Sequence, residues 1–319
     1  MFHKVLPVFG SLIAVILALT FFTTPASDGS YSARLQQSGM FENTLETALP
    51  QTVVAEMVNN HFHSPLPAGK TVKKCAVIGL DGARCDTLID LKDDTQSGIS
   101  LLAAEGGLYI AKAGGDTLLH TQATKTTSGW TTILTGKWAN THLVFYNGMI
   151  KLLSPKTFLT ELVEDGSARS TAFYTWWPWH VQKVWSTYKM ESTYTKLKSL
   201  PVSWNTLSNE DELQATLLAQ AADPGCADIL FSIFECPDET GHAYGFGSDV
   251  PEYVEAVRAC DKDAYDIIKT IEARESYSAE DWLIVMTSDH GGQDKDHGNL
   301  SEDCRMIFIA ANKAIIINE

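Results

Sequence analysis

Positive charge is scarce in this chain. Its 24 Lys and Arg face 39 Asp and Glu, a formal net charge of −15. Such acidity repels nucleic acid polymers and anionic membranes, which excludes both as electrostatic partners. No two of the six cysteines form a CxxC pair, so a cysteine zinc site or a thioredoxin-like motif is not supported. An even count outside the cytosol permits disulfides. Cys75, however, sits in an apolar run where a buried thiol is the simpler reading, and no pairing follows. No Gly-x-Ser-x-Gly elbow follows a strand-like run, so a Ser/His/Asp acyl hydrolase lacks its nucleophile turn. Repeats and low-complexity tracts are absent. What remains is a globular composition, 45% hydrophobic and 20% charged, with enough apolar residues for a sizeable core.

One long apolar run stands at the start. Val5 to Phe22 is almost unbroken, preceded by His3 and Lys4 and followed by Thr23-Thr24-Pro25-Ala26-Ser27. Residues 1–27 therefore read as a secretory signal peptide with cleavage near Ala26 or Ser27. The alternative is an uncleaved N-terminal anchor. The run is at the low end of length for a span and contains Pro7 and Gly10. Either way an extracellular or cell-surface protein is expected, touching a membrane only through this segment. No cysteine follows the run, which speaks against a lipoprotein.

Residues 28–70 read as an N-terminal extension and linker. Leu45, Leu49, Val53, Val54 and Met57 recur near helical spacing within 41–62, with Pro50 interrupting. Ser64-Pro65-Leu66-Pro67-Ala68-Gly69 is linker-like. Residues 71–319 are expected to form the catalytic domain. Strand-like runs at 74–80, 107–113, 169–175, 227–235, 282–288 and 305–310 alternate with helix-like runs at 97–104, 126–135, 156–164, 210–222 and 250–275. The last is the clearest helix, with Tyr253, Val254, Val257, Tyr265, Ile268 and Ile271 on one face. This alternation predicts an α/β fold whose mostly parallel sheet is covered on both faces.

Acids and histidines cluster where these strands end. Asp81 closes the run Cys75-Ala76-Val77-Ile78-Gly79-Leu80. Asp238 and His242 follow the strand ending at Glu235. Asp289-His290-Gly291-Gly292 follows Leu283-Ile284-Val285-Met286, and His297-Gly298 comes seven residues after His290. Carboxyl ends of parallel strands are the usual place for a site. Asp and His are ligand types for zinc-class ions, and Mn²⁺ or Fe also occupies such sets. Each element has a plainer reading. Asp81 could cap a helix, a single His could be a loop residue, and Thr124 to Ser128 could cap the helix that follows. A haloacid-dehalogenase phosphatase also places an acid at a strand end, but it needs a second Asp where Ala83 stands. Hydroxyls at a helix N-terminus favour anions such as phosphate, and a metal would activate one of them. Tyr174-Thr175-Trp176-Trp177-Pro178-Trp179-His180 could wall a leaving-group pocket or simply pack the core. His61-Phe62-His63 has the form of a metal-binding pair, although a solvated helix end explains it more simply.

Asp81, Thr124-Lys125-Thr126, Asp238-x3-His242, Ser288-Asp289-His290-Gly291 and His297-Gly298, in that order, resemble the alkaline phosphatase superfamily. Within it they are most similar to the type I phosphodiesterase/nucleotide pyrophosphatase branch, over about residues 72–310. The resemblance implies a three-layer αβα sandwich and two Zn²⁺ ions. Asp81, Asp289 and His290 would hold one ion, and Asp238, His242 and His297 the other. Thr126 would be the nucleophile, touching the first ion and forming a phospho-threonine intermediate. Asn147 would donate a hydrogen bond to a non-bridging substrate oxygen, and Lys125 would lie against the substrate. The substrate implied is a small phosphate ester or nucleotide-like molecule. Some positions depart from the family. Thr127-Ser128-Gly129 replaces Phe-Pro-Asn, and Ala139 and Leu143 replace a Pro and a Gly. His297 stands eight residues after Asp289, as in several bacterial members. A phosphomonoesterase, a phosphotransferase or a phosphonate or sulfate ester hydrolase could use the same site. An inactive metal-stabilised binding domain is the reading from another class, and the presence of Thr126 argues against it.

Overall fold

The structure, a computed structural model, describes residues 30–315. The apolar run at Val5–Phe22 lies outside them. Among the described residues no helix is long and apolar enough to cross a membrane.

Eight strands form one sheet in the order β1-β3-β8-β7-β2-β6-β4-β5. They are β1 (Leu49–Pro50), β2 (Val72–Leu80), β3 (Leu108–Lys112), β4 (Thr171–Thr175), β5 (Val202–Thr206), β6 (Ile229–Phe234), β7 (Glu280–Thr287) and β8 (Met306–Ala311). All neighbours pair in parallel except β8, which runs antiparallel to both β3 and β7. Strand β2 is central because both its faces are apolar. Ala76, Ile78 and Leu80 face one core, and Cys75 and Val77 face the other. Side chains alternate across a strand, so one continuous apolar run feeds two cores.

Helices cover both faces, which completes the three layers. The long helix Pro251–Glu272 begins with Pro at its first turn and buries Tyr253, Val254, Val257, Cys260, Ala264, Ile268 and Ile271 in the first core. Their recurrence at three- and four-residue steps is the amphipathic pattern. Tyr265, assigned to that face from sequence, is only half-buried. The opposite core takes Trp130, Ile133 and Leu134 from the helix Thr126–Thr135, and Val54, Val58 and Phe62 from the helix Val53–His63. Residues 49–63 are thus built into the sheet and its cover. Strand β1 pairs with β3, and helical spacing upstream of Pro50 does not become a helix. All six cysteines are free thiols.

Register sets the site. Gly79 lies opposite Thr287 on β7 and opposite Ile233 on β6. Two residues further on, Asp81 therefore emerges between Asp289 and Glu235, with strands about 4.8 Å apart. Gly79 also makes room for the next shell, because a Cβ there would run into the buried Trp130 indole. Gly79→Ala is expected to lower stability by about 1–3 kcal/mol through overpacking. Urea unfolding would show a lower midpoint, and an unchanged midpoint would mean the indole moves freely.

Candidate active site

Three turns bring the acids and histidines together. Asp81 is followed by Gly82, whose φ of +69° is a left-handed conformation that favours glycine, and whose missing Cβ would sit 2.9 Å from Asp238 Oδ1. Tyr253 of the long helix pins this turn, donating to Gly82 O at 2.5 Å and accepting from Arg84 N at 2.9 Å. Arg84 then bonds Asp86, Asp303 and Gly292 O, which fixes the Gly291-Gly292 loop. Asp238 and His242 lie on one face of the short helix Cys236–Tyr244, four residues apart. Asp289 and His290 leave the end of β7, and His297 returns from the following loop.

The histidines share one orientation. His242 Nδ1 lies 2.8 Å from Lys295 O, His290 Nδ1 2.8 Å from Gly291 O and His297 Nδ1 2.8 Å from Thr124 O. A backbone carbonyl only accepts, so in its neutral form each ring carries the proton on Nδ1 and turns an Nε2 lone pair inward. His242 Nε2 lies 3.4 Å and His297 Nε2 3.6 Å from the Asp238 carboxylate. His290 Nε2 lies 3.5 Å from Asp81 Oδ1, 3.3 Å from Asp289 Oδ2 and 3.4 Å from Thr126 Oγ1. Asp81 Oδ2 accepts from Trp130 Nε1 at 2.7 Å, and Asp289 Oδ1 from Gly82 N at 3.2 Å. Their other oxygens, Asp81 Oδ1 and Asp289 Oδ2, together with Asp238 Oδ1, are buried with no hydrogen-bond partner.

Electrostatics point the same way. Burial pushes the Asp81 carboxyl well up, with Glu235 and Asp238 adding to the effect. Burial also pushes Asp289 well up, helped by Asp81 and Asp238. Burial opposes charge on Asp238 too, but the hydrogen bond from His242 and the nearby His290 and His297 outweigh it and hold this carboxyl low. That same bond raises His242 to about 9. Burial lowers His290 and His297. Buried carboxylates that repel one another, and the neutral imidazoles of His290 and His297 aimed inward, leave the donor set deficient in positive charge even with His242 protonated. That set fits divalent metal. Asp238, His242 and His297 form one compact ligand trio. Asp81 and His290 form another with Asp238, and Asp289 also reaches His290.

Thr126 is the first residue of its helix, and no side chain caps that end. The hydroxyl-cap reading of the threonine run is therefore not realised, and Thr126 Oγ1 faces His290 instead. Asn147 Oδ1 accepts from Thr127 N and Thr127 Oγ1, at 3.0 and 3.2 Å. Lys125 Nζ lies 3.2 Å from Asp296 Oδ1, beside His297. The aromatic run divides. Tyr174 and Trp176 pack on the first core, whereas Trp177 and Trp179 line a cavity of about 270 Å³ with Asn147 and Gly148. His61 and His63 diverge. His61 is buried against Lys74 O, contrary to the solvated-end reading, and exposed His63 pairs with Asp165.

Sequence reasoning passed over Trp130 and Glu235, and read His180 only as the end of the aromatic run. Only Glu235 had a signal, as an acid closing an apolar strand. Trp130 and His180 come close to Asp81 only through folding.

The model of the type I phosphodiesterase/nucleotide pyrophosphatase family matches residues 75–304. No curated protein matches the chain in sequence. Among solved structures, the 2-O GAG sulfatase BT1596 is similar with a TM-score of 0.52 at 9% identity, over 76% of this chain and 64% of that one, which is a likeness of fold. Murine ectonucleotide pyrophosphatase/phosphodiesterase 5 has a TM-score of 0.47 at 18% identity over 69% of this chain, and the chain spans 58% of that protein's length. The alkaline phosphatase of the Antarctic bacterium TAB5 has a TM-score of 0.47 at 13% identity, over 76% of this chain and 91% of that one.

Proposed function

The chain belongs to the type I phosphodiesterase/nucleotide pyrophosphatase family, and from that premise we propose that it is an exported hydrolase of phosphodiesters or nucleotide pyrophosphates acting through a phospho-threonine at Thr126. The observation that carries this reading is the set of inward imidazoles and partnerless carboxylate oxygens, with the Thr126 hydroxyl 3.4 Å from His290 Nε2 among them. Asp81, Asp289, His290 and Thr126 would hold one zinc ion, and Asp238, His242 and His297 the other. Bound there, the ions would favour the alkoxide of Thr126 and neutralise charge on the phosphoryl oxygens.

The chain's own residues do the rest. Thr126 Oγ attacks phosphorus, forming the Oγ–P bond as the bond from phosphorus to the leaving oxygen breaks, and the hydroxyl proton ends on that oxygen, by way of solvent, so that it departs as the alcohol. Water then cleaves the phospho-threonine, releasing phosphate monoester and free threonine. The helix N-terminus at Thr126 favours the anionic group. Asn147 is held by Thr127 through Oδ1, so its Nδ2 is available to donate to a non-bridging oxygen. Trp177 and Trp179 wall the space beside it for a flat leaving group, as a nucleotide-like substrate would supply. Residues 1–27 would direct export, and residues 71–319 would carry the ligands and the nucleophile.

Zinc-loaded full-length protein should turn over bis(p-nitrophenyl) phosphate faster than p-nitrophenyl phosphate or p-nitrophenyl sulfate. Asn147→Ala should lower kcat/KM on the diester by roughly 10²-fold with bound metal unchanged. A metal-loaded protein inert toward every ester would overturn the hydrolase reading in favour of a binding domain. Faster monoester turnover would overturn the diester preference.

A further inference from the structure

The helix Ser30–Ser38 precedes every strand, yet it reaches the back of the candidate site. Its Tyr31 and Leu35 are buried in the first core. Tyr31 lays its ring against Arg84, whose guanidinium carbon lies 5.4 Å from the ring centroid. The Tyr31 hydroxyl is buried with no hydrogen-bond partner, so the ring and not the hydroxyl makes this contact. Arg84 donates to Gly292 O at 3.1 Å, in the loop that follows His290. Arg34, one turn on from Tyr31, reaches a second loop. Its Nη2 donates to Asp90 at 2.9 Å, its Nη1 lies 3.9 Å from Asp86 Oδ2, and the same Nη1 donates to Ser248 Oγ. Asp86 in turn accepts from Arg84 at 2.9 and 3.0 Å. Ser248 stands in the loop after the helix Cys236–Tyr244, two residues from Phe246, whose ring meets the His242 imidazole edge-on at 5.5 Å.

A single helix therefore touches the supports of both ligand sets. Loops at a site are held less firmly than the sheet beneath them, and a displacement of about 1 Å costs roughly 10²-fold in rate. A desolvated guanidinium gains from a ring face, which also fixes its orientation. We propose that Tyr31 and Arg34 are positioning residues, and that the helix Ser30–Ser38 is a clamp holding the Gly291-Gly292 loop and the 245–250 loop in place. Tyr31 acts through Arg84 on the His290 side, and Arg34 acts through Ser248 on the His242 side. The clamp rests on the proposed two-metal reading. It makes part of the extension expected at residues 28–70 a component of the catalytic unit.

The test follows both turnover and metal. Zinc-loaded full-length protein is assayed on bis(p-nitrophenyl) phosphate, and zinc loss to a chromogenic chelator is followed by stopped flow. The double variant Tyr31→Leu, Arg34→Gln keeps the core filled but removes the ring face and the charge. It should lower kcat about tenfold with KM nearly unchanged, and it should lose zinc several-fold faster. Tyr31→Phe should match wild type in both, because only the partnerless hydroxyl is removed. Arg34 is half-exposed, so Arg34→Gln alone serves where the double variant does not fold, and it should lose zinc about threefold faster. Wild-type kcat and zinc loss in the folded variants would overturn the clamp. A lower melting temperature in chelator as the sole change would overturn it too, leaving the helix a packing role. A wild type that retains no zinc would instead overturn the two-metal reading, and the clamp with it.

Discussion

Thr126→Ala is expected to abolish ester turnover while leaving bound metal unchanged. Thr126 Oγ1 is the hydroxyl beside His290 Nε2, 3.4 Å away at the start of a helix. Losing a nucleophile removes a whole covalent step, so the rate should fall by ~10⁴-fold or more. A residue that merely positioned substrate would cost far less. Removing the methyl and hydroxyl should leave the other three proposed ligands in place to retain the ion, because Asp81, Asp289 and His290 are oriented by Trp130, Gly82 and Gly291 rather than by Thr126. Quenching wild type during turnover should trap a phosphorylated peptide containing Thr126, and the alanine variant should give none. Retention of more than a tenth of wild-type activity by Thr126→Ala would remove the phospho-threonine from the mechanism.

Asp289→Asn should shift stability in opposite directions with and without metal. Asp289 is fully buried, and its carboxyl is pushed well up by burial and by Asp81 and Asp238. In metal-free protein it is a liability. An acid whose folded pKa is raised binds its proton more tightly when folded. Its penalty is absent below the unfolded value near pH ~4 and grows as pH rises through the folded value. Neutral asparagine never incurs that penalty and keeps the oxygen that accepts from Gly82 N. In chelator at pH 8, Asp289→Asn should therefore melt above wild type, and the gap should close as pH falls toward ~4. In zinc the order reverses. Ligand at a thousandfold excess over its Kd stabilises by about 4 kcal/mol, or roughly 6 °C for a chain of this size, and the variant loses much of that. Calorimetry across pH in both conditions would decide it. A variant less stable than wild type in both would mean that Asp289 is packed for structure and not for an ion.

Much of the sheet was legible because its central strands are buried on both faces. The runs behind β2, β6 and β7 are continuous and apolar, and such runs announce themselves. Strand β5 was missed because it is an edge strand with the partly exposed, polar sequence Val202-Ser203-Trp204-Asn205-Thr206. The short β1 was missed because Pro50 reads as a break, whereas at a sheet edge a proline is tolerated. The proposed ligands were legible for a related reason, since Asp81, Asp238, Asp289 and His290 all follow strands that the pattern located.

The sequence alone determined the α/β alternation, the strand ends at which chemistry gathers, the family and its acid, histidine and threonine residues, because each is a local pattern or a motif in fixed order. Tertiary structure alone decided the rest. The β7-β2-β6 register set Asp81 between Asp289 and Glu235, and the backbone carbonyls of Thr124, Gly291 and Lys295 turned the imidazoles inward. Packing likewise brought Trp130 onto Asp81 from 49 residues away and buried His180 beside Glu235 from another loop. Side-chain orientation and long-range proximity depend on how strands pair and helices pack, and no spacing along the chain encodes that by itself.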